Sequence, residues 1–129
     1  MYYTGYLLTQ ASRKQILEAF PPSYKNVVAH HITERHNVPS DTLVPEIPNS
    51  AQVVGYVNSG DGIEALLVSI NGETVRPDGK SFYHITLSLS DGRKHLESNN
   101  YIQNATSVDP VNIMVIPKLF AGSPKATID

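Results

Sequence analysis

Residues 51–70, AQVVGYVNSGDGIEALLVSI, constrain the fold most. Two strand-like runs flank SGDG, a tight reversal with the glycines such a turn needs, and the pattern predicts a β-hairpin. The rest of the chain is punctuated in the same way. YYTGYLL reads as a first strand and NVVAHHITER as the next. SFYHITLSLS follows the RPDG turn, and VNIMVIPKL reads as a last strand. Asn71-Gly72 is a further hairpin signal. SRKQILEAF, with Ser12 as N-cap and Ile16, Leu17 and Phe20 in one apolar stripe, predicts a short helix that ends at Pro21-Pro22. NVPSDTLVPEIPNS carries three prolines and predicts a loop. GRKHLESNNYIQ reads as a short helix or an irregular loop, because Ser98, Asn99 and Asn100 favour turns. Strands outnumber helices without a βαβ alternation. The expectation is an α+β fold, mainly antiparallel, in a single domain over residues 1–120, with 121–129 as a flexible tail.

Composition narrows the function classes. The chain has 129 residues, 40% of them hydrophobic and 17% charged, which suits one globular domain with a real core. There is no cysteine, so neither a disulfide framework nor a thiolate zinc site is available. Net charge is −2 and there is no basic run, which argues against a grip on long DNA or RNA. A small anionic ligand stays open. Apolar runs such as ALLVSI are too short to span a bilayer, and MYYTGYLLTQ lacks a signal-like segment. A soluble, cytoplasmic protein without a membrane partner is expected. Oligomeric state is not legible.

His-Ile-Thr occurs twice, at 31–33 and 84–86. Residues two apart on a strand share a face. His84 and Thr86 therefore stand with Phe82 and Ser88, while Tyr83, Ile85, Leu87 and Leu89 form the core side. His31 and Thr33 stand with Ala29 and Arg35, opposite Val28 and Ile32. One His-x-Thr in a strand is common by chance; two copies, each with an apolar reverse face, are informative. Facing each other, the pairs would supply a general base, a general acid and two hydroxyl donors for phosphoryl oxygens. That set can cleave a phosphodiester in line without a metal.

The same alternation sorts the neighbours. His30 is expected on the core side, pointing away from His31, which argues against a zinc site built from His30, His31 and His36. HHITERH also lacks the three alternating histidines of histidine-triad hydrolases. Arg35, Arg76 and Lys80 are the candidate phosphate partners. Tyr6 and Phe82 are candidates for stacking a base. Ser88 extends the polar row of the second triplet.

Two His-x-Thr/Ser motifs on separate strands of a small α+β domain resemble the two-histidine (2H) phosphoesterase superfamily. That superfamily includes RNA 2',3'-cyclic phosphodiesterases, the cyclic phosphodiesterase domain of fungal and plant tRNA ligases, and phage enzymes that degrade cyclic nucleotide signals. AHHIT and YHITLSLSDGRK look most like the fungal tRNA-ligase branch, and the likeness runs from Tyr2 to about Pro117. It implies a bilobal, pseudo-symmetric fold with the two motif strands lining a central cleft. It implies acid and base roles for His31 and His84, phosphate contacts from Thr33 and Thr86, and no cofactor or metal. The implied substrate is a cyclic phosphodiester: a 2',3'-cyclic phosphate on a short RNA end or nucleotide, or a cyclic nucleotide or oligonucleotide messenger. The competing readings are a non-catalytic nucleotide or RNA-end binding module and a 2'-5' RNA ligase.

Overall fold

The computed structural model describes residues 1–122, so the expected tail lies outside the described residues except for Ala121 and Gly122. Ala121 is in fact still strand, because Gly122 N donates to Met1 O and closes the last ladder.

Among the described residues nine regular elements follow one another: β1 (Tyr2–Leu8), α1 (Gln10–Ala19), β2 (Asn26–Val27), β3 (His31–Val38), β4 (Ala51–Asn58), β5 (Ile63–Ile70), β6 (His84–Leu89), β7 (Thr106–Asn112) and β8 (Val115–Ala121). Two 3-10 turns, His95–Asn100 and Ile102–Asn104, lie between β6 and β7. The strands form two antiparallel sheets, one ordered β3-β1-β8 and one ordered β2-β6-β5-β4-β7. The mainly antiparallel α+β expectation is met. The 51–70 hairpin forms as β4 and β5, with Gly60 and Gly62 at positive φ in its turn.

Apolar side chains explain how the sheets meet. Tyr6, Leu8 and Ile32 from the small sheet join Val53, Leu66, Val68, Ile85 and Leu87 from the large one, and Ile16 of α1 plugs the same cluster. On the other face of the large sheet a smaller cluster gathers Val57, Ala65 and Ile102, with Leu67 and Phe82 against it. Every residue of β6 is therefore buried.

Three local expectations are corrected. Thr9, not Ser12, caps α1: its Oγ1 accepts from Ser12 N at 3.2 Å, while Ser12 Oγ accepts from Met114 N at 2.7 Å. NVVAHHITER is not one strand; its first part is β2 of the large sheet and its second part is β3 of the small one. VNIMVIPKL also divides, between the end of β7 and β8. β7 contains Pro110, which an edge strand tolerates because no ladder donor is needed on its outer side.

Candidate functional site

The switch between sheets brings the two triplets together. β2 pairs with β6, and the pairing continues as Val28 N donates to Leu87 O and Ala29 N to Thr86 O, both at 2.9 Å. Ala29 then takes φ 45°, in the left-handed region, and the chain leaves β6 for β1. By His30 its carbonyl accepts from Leu8 N at 3.1 Å. Arg13 of α1 holds the switch: Nε donates to Ala29 O at 3.1 Å and Nη2 to Val28 O at 3.2 Å. The first triplet thus begins two residues after a backbone bond to the second. β3 and β6 lie in contact although they belong to different sheets.

Both histidines are buried, His31 at 5% exposure and His84 at 4%. His84 Nδ1 lies 2.8 Å from Phe82 O. A carbonyl can only accept, so Nδ1 carries a proton and Nε2 is the atom through which His84 can take up or give up another. His31 Nδ1 lies 3.0 Å from Nδ1 of His30, and the two rings meet edge to face at 77°. The His31 ring also sits 5.5 Å from Tyr3 and 5.3 Å from Phe120, which stack on each other at 4.8 Å. Gly5 lies between Tyr3 and Leu7 on β1, opposite Thr33. A Cβ at Gly5 would come within 2.1 Å of Ile32 O, so only glycine fits the close approach of β1 and β3.

The two threonines differ. Thr33 Oγ1 is buried and has no hydrogen-bond partner among the described residues. Thr86 Oγ1 lies 2.9 Å from Ser98 Oγ, a fully buried hydroxyl of the first 3-10 turn. Thr33 stands level with Gly5 and Lys118 across β3, β1 and β8.

The second tier of expected residues is spread over different parts of the fold. Arg35 does not share the His31 face: Thr33 is opposite Gly5 but Arg35 is opposite Thr4, so Glu34 is an extra residue in a bulge that breaks the alternation. Arg35 is exposed, and its charge acts on Tyr83, on the other side of the sheet. Tyr6 is a core residue, edge-on to Tyr83, and burial raises its pKa. Phe82 packs half-buried on the smaller cluster and gives its carbonyl, not its ring, to His84. Ser88 Oγ donates to Glu64 Oε1 at 2.6 Å and accepts from Tyr24 N. It belongs to a buried network in which Ser23 and Tyr56 also donate to Glu64. Arg76 is buried: Nη2 pairs with Asp78 at 3.3 Å, and Nε and Nη1 have no partner among the described residues. Lys80 is exposed on the turn beyond it.

Other groups stand closer to the triplets than the alternation suggested. His30 is exposed, not core, because the left-handed Ala29 resets the alternation just before it. It lies beside a cavity of about 430 Å³ bounded also by Val27, Val28, Leu89, Arg93 and His95. Partial desolvation of its ring, then the positive charges of Lys118 and Arg13, hold His30 below its ordinary pKa. Ser98 had no sequence signal, since a 3-10 turn twelve residues from Thr86 is invisible to periodicity. Lys118 would have been legible only with the β1–β8 register in hand.

No family model matches the chain, and neither a curated protein nor a solved structure matches it. Among the described residues no group of three or more His, Cys, Asp or Glu is placed to hold a metal ion, and no helix is long and apolar enough to cross a membrane.

Proposed function

We propose that this chain is a two-histidine phosphodiesterase that hydrolyses a cyclic phosphodiester, with His31 and His84 exchanging protons with the attacking water and the leaving oxygen. The observation that carries the reading is the Ala29 N to Thr86 O bond, which ties the approach of one His-Ile-Thr to the threonine of the other. Each triplet keeps an imidazole whose Nδ1 is engaged, so proton traffic is left to Nε2. Thr33 adds a buried hydroxyl without a protein partner among the described residues, the state expected of a donor reserved for a ligand oxygen. Thr86 can accept from Ser98 and still donate, which completes the pair. Lys118, level with Thr33, supplies positive charge on the same face. The strands divide between a small sheet carrying β3 and a large one carrying β6, an arrangement compatible with a bilobal, pseudo-symmetric fold around a central cleft.

The substrate class is a small cyclic phosphodiester: a 2',3'-cyclic phosphate on a nucleotide or short RNA end, or a cyclic nucleotide or oligonucleotide messenger. The test is turnover of such compounds in EDTA by the native chain, His31→Ala and His84→Ala. Turnover lost in both variants supports the reading. Tight binding without turnover, surviving both substitutions, would leave a binding module.

A further inference from the structure

His30 is the exposed neighbour of a buried histidine, and the contact between them has a strict proton count. Two Nδ1 atoms 3.0 Å apart share one hydrogen bond only if one carries a proton and the other a lone pair. Two protons there repel, and two lone pairs bond to nothing. We propose that His30 is a positioning residue for His31: it accepts the Nδ1 proton of His31 and so reserves Nε2 of His31 for the reaction. The inference rests on the catalytic reading above.

An imidazolium carries hydrogen on both nitrogens, so whenever His31 is charged its Nδ1 must donate and His30 must accept. If His30 accepts throughout, His31 can load and unload a proton at Nε2 without a proton crossing to His30. If His30 donated in the neutral state, every cycle would need a second proton to cross between the rings. His84 has the same device in a simpler form, since Phe82 O can only accept.

The two devices differ in one respect. A carbonyl does not take a proton at these pH values, but an imidazole does. His30 is faced by Lys118 of β8, Arg13 of α1 and His31 of β3, with Arg93 and His95 across the cavity and the Phe120 ring at 6.2 Å. The two cations and partial burial favour its neutral form, the accepting one. Acid that does protonate His30 places a hydrogen on its Nδ1, turns the bond around and leaves Nε2 of His31 protonated and unable to act as a base. The pair titrates as a coupled unit.

The test combines nitrogen NMR with kinetics on the full chain. Long-range ¹H–¹⁵N spectra report which nitrogen of His31 carries the proton. The expected result is an Nδ1–H His31 in the native protein and a mixed tautomer in His30→Ala. Turnover in His30→Ala should fall about tenfold or more in kcat with a smaller change in KM, as for the loss of an orienting partner. His30→Asn, whose amide oxygen accepts but does not titrate, should restore most of the loss and move the acid limb of the rate profile to lower pH. An unchanged His31 tautomer and an unchanged pH profile in His30→Ala would overturn the proposal. If the native chain turns over none of the phosphodiesters, the NMR arm still decides: a tautomer that depends on His30 upholds the positioning role while the catalytic reading alone fails.

Discussion

At the scale of single residues the two threonines give the sharpest contrast. Thr33→Val removes a buried hydroxyl without a partner among the described residues, so thermal stability should hold or rise while turnover falls. Thr86→Val strands Ser98 Oγ in the core and should cost about 1–3 kcal/mol in denaturant unfolding. Equal stability losses in the two variants would contradict this assignment. His30 makes a pH prediction. Its folded pKa lies below the ordinary 6.5, so the folded state binds its proton less readily than the unfolded chain. Its contribution to stability is therefore full above 6.5 and is lost as pH falls through the lower folded value. Urea midpoints measured on both sides of 6.5 should show less acid loss in His30→Asn than in the native protein. The triplets themselves were legible, because a repeated tripeptide needs no structure to be seen. His30 was misplaced because strict alternation assumes a regular strand, and Ala29 at φ 45° is not regular. Arg35 was misplaced for the same kind of reason, by the bulge at Glu34.

At the scale of elements the sheet switch positions the site. Arg13 makes two charge-assisted bonds to the carbonyls of the switch. Arg13→Ala should cost about 2–3 kcal/mol and reduce turnover even though Arg13 belongs to neither triplet. A variant that loses the stability yet keeps native turnover would show that the switch does not position His31. Glu64 pins the other end of β6: Ser23, Tyr56 and Ser88 all donate to it, and it is fully buried. Glu64→Leu should destabilise by about 3–5 kcal/mol in chemical denaturation, because several donors are then buried without an acceptor. The β4–β5 hairpin was legible from its turn. The division of NVVAHHITER between two sheets was not, since hydrophobic alternation reports which face a residue takes and not which sheet the strand joins. Pro110 hid β7, because a proline demotes a strand in sequence and costs little at an edge.

At the scale of the whole molecule one core joins the sheets. Residues from β1, β3, β4, β5, β6 and α1 share the main apolar cluster, so opening either sheet exposes most of the core packed on the other. Tyrosine fluorescence and far-ultraviolet circular dichroism should report one coincident unfolding transition. Two separated transitions would mean independent lobes. The antiparallel α+β class was legible from turn spacing and strand count. The candidate site was legible only in outline, because Lys118 stands level with Thr33 only through strand register. The measurement that bears most directly on function is a hydrolysis panel in EDTA. It compares 2',3'-cyclic nucleotides, RNA ending in a 2',3'-cyclic phosphate, and 3',5'-linked cyclic di- and trinucleotides, with His31→Ala and His84→Ala alongside. Turnover of one class, reduced about 10²–10⁴-fold in each variant, is the predicted result. Tight binding of a nucleotide without turnover, unchanged in both variants, would contradict it.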